Sequence, residues 1–177
     1  MSPQTRTTEK REFTLKPLSK EGVEAALAKA ERYRLLNQPM LAESICQDIL
    51  LVEPQNQKAA VVLLLSLTDQ FKQSSSKASK QAKELANSLK DEYERVYYTG
   101  IILERLGSIA LNSGAHGSDF DAYEWYLEAM EQYERADAVN KDSKNDDPIL
   151  RWNTCARIIT QHNLKERPFD DLQPTLE

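Results

Sequence analysis

Apolar residues recur every three or four positions through most of this chain, which is the spacing that places them on one face of an α-helix. The first apolar stripe runs from Val23 to Leu36 and the second from Leu41 to Leu50. The alternation of apolar and polar residues that is typical of strands is rare. The pattern predicts seven helices, at about residues 19–36, 39–50, 57–71, 78–90, 91–111, 121–139 and 148–161.

Residues that disfavour helix mark the breaks between these segments. Pro39 suits the first turn of the second helix, where a missing N–H costs nothing. The stretch "EPQNQ" at 53–57 separates the second and third helices, and we interpret it as the hinge between one helical pair and the next. The segments at 72–77 and 112–120 are predicted as loops. This organisation favours antiparallel helical hairpins packed side by side.

Residues 23–56 resemble one tetratricopeptide repeat, a 34-residue helical hairpin. Ala30 stands at the small position of the first helix, and Tyr33 follows three residues later. Ala42 takes the small position of the second helix, and Pro54 is the closing proline. Small side chains at such contacts let two helices approach to about 8 Å.

Two further units are less regular. The second starts at Gln57, but its small residues Ala82 and Ala86 come late, after a serine-rich loop. In the third, Ala129 and Ala136 match the family's second-helix spacing, although a long loop is inserted before that helix. The resemblance therefore consists of one good unit, two degenerate ones and a capping helix.

The resemblance, which covers about residues 23–160, implies an all-α fold of about three antiparallel hairpins plus a C-terminal capping helix. An unrelated all-α bundle of helical hairpins is the alternative. We expect a flexible arm at 1–18, the helical domain at 19–162 and a tail at 163–177, either frayed or an extended strap.

Composition narrows the functional classes. The net charge of −5 argues against a duplex DNA binder. Cys46 and Cys155 fall within apolar helical stripes, so we expect reduced core residues rather than a disulfide. No apolar run approaches the ~20 residues of a membrane span, and the N-terminus lacks the apolar region of a secretory signal. We expect a cytoplasmic protein without a membrane partner.

Catalytic motifs are missing from the sequence. Neither His116 nor His162 has a ligand partner at metal-site spacing, and there is no HExxH, CxxC or phosphate-binding glycine motif. Cys155 and His162 stand about 10 Å apart along a helix, too far for a nucleophile and its base. We therefore expect no enzyme, no cofactor and no metal.

Acidic residues of the sixth predicted helix share one face. Glu124, Glu128 and Glu131 are spaced by four and three residues. They suit either a cation site or a solvated outer face. The outer face is favoured because Trp125 and Tyr133 define the buried side.

Six side chains on the fifth and seventh helices are the candidate partner-binding residues. They are Tyr97, Tyr98, Arg105, Arg151, Asn153 and Arg157. In stacked hairpins the first helix of each pair lines the concave surface, so the three arginines would face one groove. Such side chains hold carboxylates and peptide backbones well. Alternatively, the tyrosines fill the core and the arginines pair with acids such as Glu104 or Asp147.

Some tetratricopeptide repeats clamp a C-terminal carboxylate with lysine and asparagine at fixed positions. In the first unit of this chain those positions are Leu27 and Glu31, so the resemblance does not imply a carboxylate clamp here.

The function that the sequence favours is a non-catalytic scaffold or adaptor that binds a protein or peptide partner. The alternative is an RNA-binding module that uses the basic arm and the lysines around the serine-rich loop, Lys72, Lys77, Lys80 and Lys83. The acidic balance makes nucleic acid the less favoured ligand. Assembly into a homo-oligomer stays open.

Overall fold

The computed structural model describes residues 13–72 and 75–168, and it is all-α. No strand occurs within those two ranges. A short 3-10 turn, Lys20–Gly22, precedes the first helix. The helices, numbered in chain order, are α1 (Val23–Leu35), α2 (Pro39–Val52), α3 (Gln57–Thr68), α4 (Ser75–Ser88), α5 (Glu92–Leu111), α6 (Ser118–Val139) and α7 (Asp147–Gln161). The all-α class and the number of helices agree with the prediction.

Local signals explain where several helices begin. Pro39 stands in the first turn of α2. The side-chain oxygen of Asn56 accepts a hydrogen bond from the N–H of Ala59 at 2.9 Å, which caps α3. Asp91 caps α5 in the same way, through the N–H of Glu94 at 3.0 Å. The "EPQNQ" stretch therefore ends one helix with a proline and supplies the asparagine cap of the next.

Several predicted boundaries were wrong by three residues or more, including the start of α1, which was predicted at 19 and lies at Val23. Helix α4 begins at Ser75 and α6 at Ser118, both inside segments that we predicted as loops. Serine is only a moderately poor helix former, so packing of the residues that follow extends each helix backwards. Gly117, with a φ of 77°, turns the chain into α6. Helix α3 ends at Thr68, earlier than predicted, although Phe71 beyond it is still buried.

Each helix packs against the next one along the chain, and α1 also contacts α3. Two main apolar clusters result. The first is formed by residues of the five helices α1, α2, α3, α4 and α5, and it includes Leu64 and Ile102. The second joins α5, α6 and α7 and includes Tyr126 and Tyr133. Helix α5 contributes to both clusters and so connects the two halves of the core.

The small residues that we expected at helix contacts are fully buried. Ala30, Ala42, Ala129 and Ala136 have no exposed surface. An alanine at a contact lets the facing helix approach closely, so these positions control the spacing between helices. Their burial agrees with the prediction that these alanines lie at contacts between helices.

Two glycines of α5 receive two tyrosine rings of α6. A Cβ atom on Gly100 would lie 2.6 Å from Cε1 of Tyr133, and one on Gly107 would lie 3.2 Å from the ring of Tyr126. The order of the contacts shows that the two helices run antiparallel. Because no larger residue fits at Gly100 without movement, glycine is required there for this close packing.

One expectation about α6 is wrong, and the expectation about the two cysteines is confirmed. Trp125, which we expected on the buried side, is only half-buried, whereas its neighbour Tyr126 is fully buried. Cys46 and Cys155 are buried free thiols, as predicted. Burial raises the pKa of each thiol to about 12.

Within the described residues, the chain before the 3-10 turn and after α7 has no regular secondary structure. The predicted arm at 1–18 is described only from residue 13, and the predicted tail only as far as residue 168. Leu164 is buried against the second cluster. Arg167 forms ion pairs with Asp121 and Glu124 at the start of α6. The described part of the tail is therefore a strap that crosses from α7 to α6.

A candidate partner-binding groove

A depression of about 750 Å³ lies where α1, α3 and α5 end. We call it the basic groove. Its lining residues are Arg34, Leu35, Asn37, Thr68, Asp69, Lys72, Arg105, Ser108, Ile109, Asn112 and Ser113. Three of these side chains are cationic and one is a carboxylate, while most of the others carry a hydroxyl or an amide.

Asp69 connects the arginines of two helices. Its Oδ2 accepts a hydrogen bond from Nε of Arg34 at 2.8 Å. Its Oδ1 lies 3.6 Å from Nη2 of Arg105. Asp69 follows α3 directly, so the three residues join the ends of α1, α3 and α5.

Arg105 is held less tightly than Arg34. Its 3.6 Å separation from Asp69 exceeds the ~2.7–2.9 Å of a charge-assisted hydrogen bond. Its side chain is 40% exposed, and its Nε is buried without a hydrogen-bond partner among the residues of 13–72 and 75–168. The buried Nε is out of reach of a ligand, but the exposed part of the guanidinium retains hydrogen-bonding capacity.

The helix ends around the groove are capped by nearby donors. The N–H of Asn37 donates to the carbonyl of Arg34 at 3.0 Å. The side-chain amide of Asn112 donates to the carbonyl of Ser108 at 2.7 Å. A helix C-terminus favours cations through its partial negative charge, and the effect fades within one turn. Arg34 thus stands in the last turn of α1, where the helix end stabilises it, and the formal charges of the cations dominate the groove.

Tyr98 lies seven residues, or about two helical turns, before Arg105 on α5. Its ring is partly buried between the two core clusters. Burial raises the pKa of Tyr98 to about 12, with Glu94 adding to the increase and Arg34 opposing it. Tyr98 is therefore a protonated core residue whose surroundings include Arg34.

A second polar network centres on the buried carboxylate of Glu104. The hydroxyl of Tyr133 donates to its Oε2 at 2.7 Å, and Nη1 of Arg151 donates to its Oε1 at 3.1 Å. Burial alone would lower the pKa of Arg151, but Glu104 and the hydrogen bond to Tyr97 outweigh burial and raise it. The network joins α5, α6 and α7. Within it, the positive charge of Arg151 is paired with the carboxylate of Glu104.

The six candidate binding residues do not share one groove. Arg105 lines the basic groove, whereas Tyr97 and Arg151 belong to the network around Glu104. Asn153 and Arg157 line a shallow depression of about 280 Å³ on α7. The expectation that Arg105, Arg151 and Arg157 face a common groove is therefore corrected. For Arg151, pairing with Glu104 was the alternative that the sequence left open.

Sequence reasoning missed Arg34 and Asp69 as groove residues. A signal that could have found them is their spacing in the sequence. Arg34 and Asp69 are 35 residues apart, and Arg105 follows after another 36. These intervals are close to the 34-residue unit expected from the sequence, but that spacing was applied only to small and apolar residues.

Another polar depression, of about 770 Å³, lies near the start of α5 and the loop after α6. Its charges are nearly balanced, because Lys90 and Lys141 face Asp91, Glu92 and Asp142. It therefore lacks the charge asymmetry that distinguishes the basic groove.

Other kinds of site find little support in the structure. Within the part of the chain that the structure describes, no cluster of three or more His, Cys, Asp or Glu side chains is arranged to hold a metal ion. No helix of that part is both long enough and apolar enough to cross a bilayer. No protein-family model, no curated protein and no solved structure matches this chain.

Proposed function

We propose that this chain is a non-catalytic adaptor that binds a partner protein on a surface formed by its odd-numbered helices. The observation that carries the proposal is the row of Arg34, Asp69 and Arg105. The row ties together the ends of α1, α3 and α5 and borders a groove of about 750 Å³. Grooves of this kind suit an extended or helical segment of another protein.

The architecture behind the proposal is a tetratricopeptide-like stack. In it, α1/α2, α3/α4 and α5/α6 are three hairpins, and α7 is the cap. The first helix of each hairpin then lines the concave side, where ligands of such stacks bind. Support comes from the buried small residues at helix contacts and from polar groove residues that recur at 35 and 36 positions.

The chemistry of the described side chains favours binding over catalysis. A cysteine nucleophile needs its thiolate form. Cys46 and Cys155 are buried, and burial raises the pKa of each thiol to about 12, so both carry their protons at neutral pH. The described residues that line the groove are cationic, amide, hydroxyl and aliphatic side chains and one carboxylate, and none of them is a histidine or cysteine.

Affinity purification with a sterically blocked groove tests the adaptor function. Ser113 is exposed and lines the groove, so Ser113→Trp fills it without changing its charge. Ser143→Trp places the same bulk in an exposed loop before α7. We expect a discrete set of proteins to be retained by the wild type and by Ser143→Trp, and to be lost with Ser113→Trp.

Circular dichroism on both tryptophan variants serves as the folding control. The adaptor proposal is wrong if no protein is retained specifically by the folded wild type. It is also wrong if Ser113→Trp folds and retains every partner as well as Ser143→Trp does.

A further inference from the structure

The geometry points to an acidic segment of a partner protein, with an apolar residue beside its acids, as the ligand of the basic groove. This inference rests on the proposed adaptor function and adds the chemistry of the ligand. It follows from the charge of the groove, from the free bonding capacity of its cations and from the apolar surface next to it.

The charge of the groove is opposite to that of the whole chain. Arg34, Lys72 and Arg105 face the single carboxylate of Asp69, while the chain carries a net charge of −5. An acidic ligand is therefore repelled by the net charge of the molecule and attracted by the local charge of the groove. Such a contrast between local and net charge gives orientation and specificity more than affinity.

The cations of the groove have hydrogen-bond donors that no other described side chain binds. Within the described residues, Arg34 donates only its Nε to Asp69, and Lys72 forms no ion pair. Arg105 has only its 3.6 Å contact with Asp69. Arginine forks bind carboxylates in pairs of parallel hydrogen bonds, so these free donors suit aspartate or glutamate side chains.

Apolar side chains lie exposed on one side of the groove, where α1 turns into α2. Leu35 is 84% exposed, Leu36 60% and Met40 67%. Leu35 also lines the groove, as does Ile109 on α5. A ligand that places an apolar residue next to its acids would cover this apolar surface and reach the cations together.

The lining favours a peptide over a single-stranded nucleic acid. Proteins that hold single strands combine positive charge with aromatic rings on which bases stack. Among the described residues that line the groove, none is aromatic. Its apolar members are Leu35 and Ile109, which suit aliphatic side chains of a peptide.

Selection from a random peptide library on the immobilised full-length chain tests the inference. We expect the selected peptides to be rich in Asp and Glu, with Leu, Ile or Phe next to the acids. Lys72→Glu combined with Arg105→Glu should weaken binding of the selected peptides at least ~10-fold, since it replaces two cations that would bind the acids with carboxylates that repel them.

A matched control reverses two exposed cations elsewhere. Lys144→Glu combined with Arg135→Glu changes the net charge by the same amount on α6 and the loop after it. The α6–α7 loop contacts the start of α5 through Asn145 and Tyr93, whereas the groove residues of α5 begin at Arg105, about 18 Å further along that helix. We expect this control to bind the selected peptides as the wild type does.

Three results would overturn the inference. The first is a selection without an acidic bias, and the second is equal loss of binding in the groove variant and the control. The third is tighter binding of a uridine oligonucleotide than of the peptides through the same residues. If the library shows no acidic bias while Ser113→Trp still abolishes partner capture, the adaptor function stands and only the acidic ligand is wrong.

Discussion

Gly100 shows how a single missing side chain determines the contact between two helices. The ring of Tyr133 lies so close to Gly100 that a Cβ there would be 2.6 Å from Cε1. In isolation, glycine within a helix costs about 1 kcal/mol relative to alanine. The close packing of a large aromatic ring against the backbone of α5 offsets that cost.

We predict that Gly100→Ala lowers the free energy of unfolding by about 1–2 kcal/mol, because overpacking outweighs the gain in helix propensity. Denaturant unfolding of the variant measures the loss. In a Tyr133→Leu background the ring is absent, so the same substitution should be neutral or stabilising. Equal losses in both backgrounds would show that the ring does not cause the effect.

At the residue scale, apolar spacing predicted the buried alanines but not the two glycines or Asp69. Ala30 and Ala136 lie on apolar stripes, so their burial follows from periodicity. The hydropathy of a glycine does not show whether it lies at a close helix contact or at an exposed position that destabilises the helix. The role of Asp69 depends on which helix ends meet, and that is decided by packing rather than by its neighbours in sequence.

Among the elements, α5 holds the molecule together. It contributes to both core clusters, and its Glu104 receives hydrogen bonds from Tyr133 on α6 and Arg151 on α7. A buried carboxylate needs such partners, because an unpaired charge in the interior is costly. The position of α7 therefore depends on the ion pair between Arg151 and Glu104.

We predict that Arg151→Met lowers the free energy of unfolding by about 1–3 kcal/mol, because it removes a partner of a buried carboxylate. It should also speed amide hydrogen exchange in α7. Arg157→Met is the matched control, since it removes the same charge from an exposed site on the same helix. Its effect should stay within about 0.5 kcal/mol. Similar losses in the two variants would mean that the ion pair does not hold α7.

Element boundaries were less predictable than the elements themselves. The 3.6-residue periodicity extends over ten or more residues in each helix, so all seven were found. The starts of α4 and α6 lie in serine- and glycine-containing segments whose local preference is weak. Tertiary packing decides such cases, and a single sequence does not reveal it.

On the scale of the whole molecule, the two buried thiols make stability depend on alkaline pH. An exposed thiol in the unfolded chain loses its proton near its ordinary pKa of 9.0, whereas burial raises the folded pKa of Cys46 and Cys155 to about 12. The stabilising effect is therefore complete below pH 9 and is lost as the pH rises from 9 towards 12.

We predict that the unfolding free energy begins to fall near pH 9, by up to about 1.4 kcal/mol per pH unit for each thiol. In the Cys46→Ala/Cys155→Ala variant the fall should begin about one unit later, when tyrosines such as Tyr98 become the relevant groups. Chemical denaturation at closely spaced pH values measures the onset. An identical onset in both proteins would assign the effect to other groups.

The charge pattern of the whole molecule gives the proposed adaptor its selectivity. In this proposal, the net charge repels most acidic proteins, and an acidic segment binds at the groove where Arg34, Lys72 and Arg105 meet. Attraction of this kind weakens as salt rises, while the apolar contact at Leu35 does not. The two together would hold a partner over a range of ionic strengths.

Site-specific photo-crosslinking in the native cells tests the proposed binding surface most directly. A photoreactive phenylalanine analogue would replace Ile109 in the groove or, as the control, Lys144 in the α6–α7 loop. We predict that the groove position yields a discrete crosslinked protein and that the loop position does not. Equal crosslinking from both positions, or none from the groove in a folded and expressed chain, would contradict a partner-binding role for this surface.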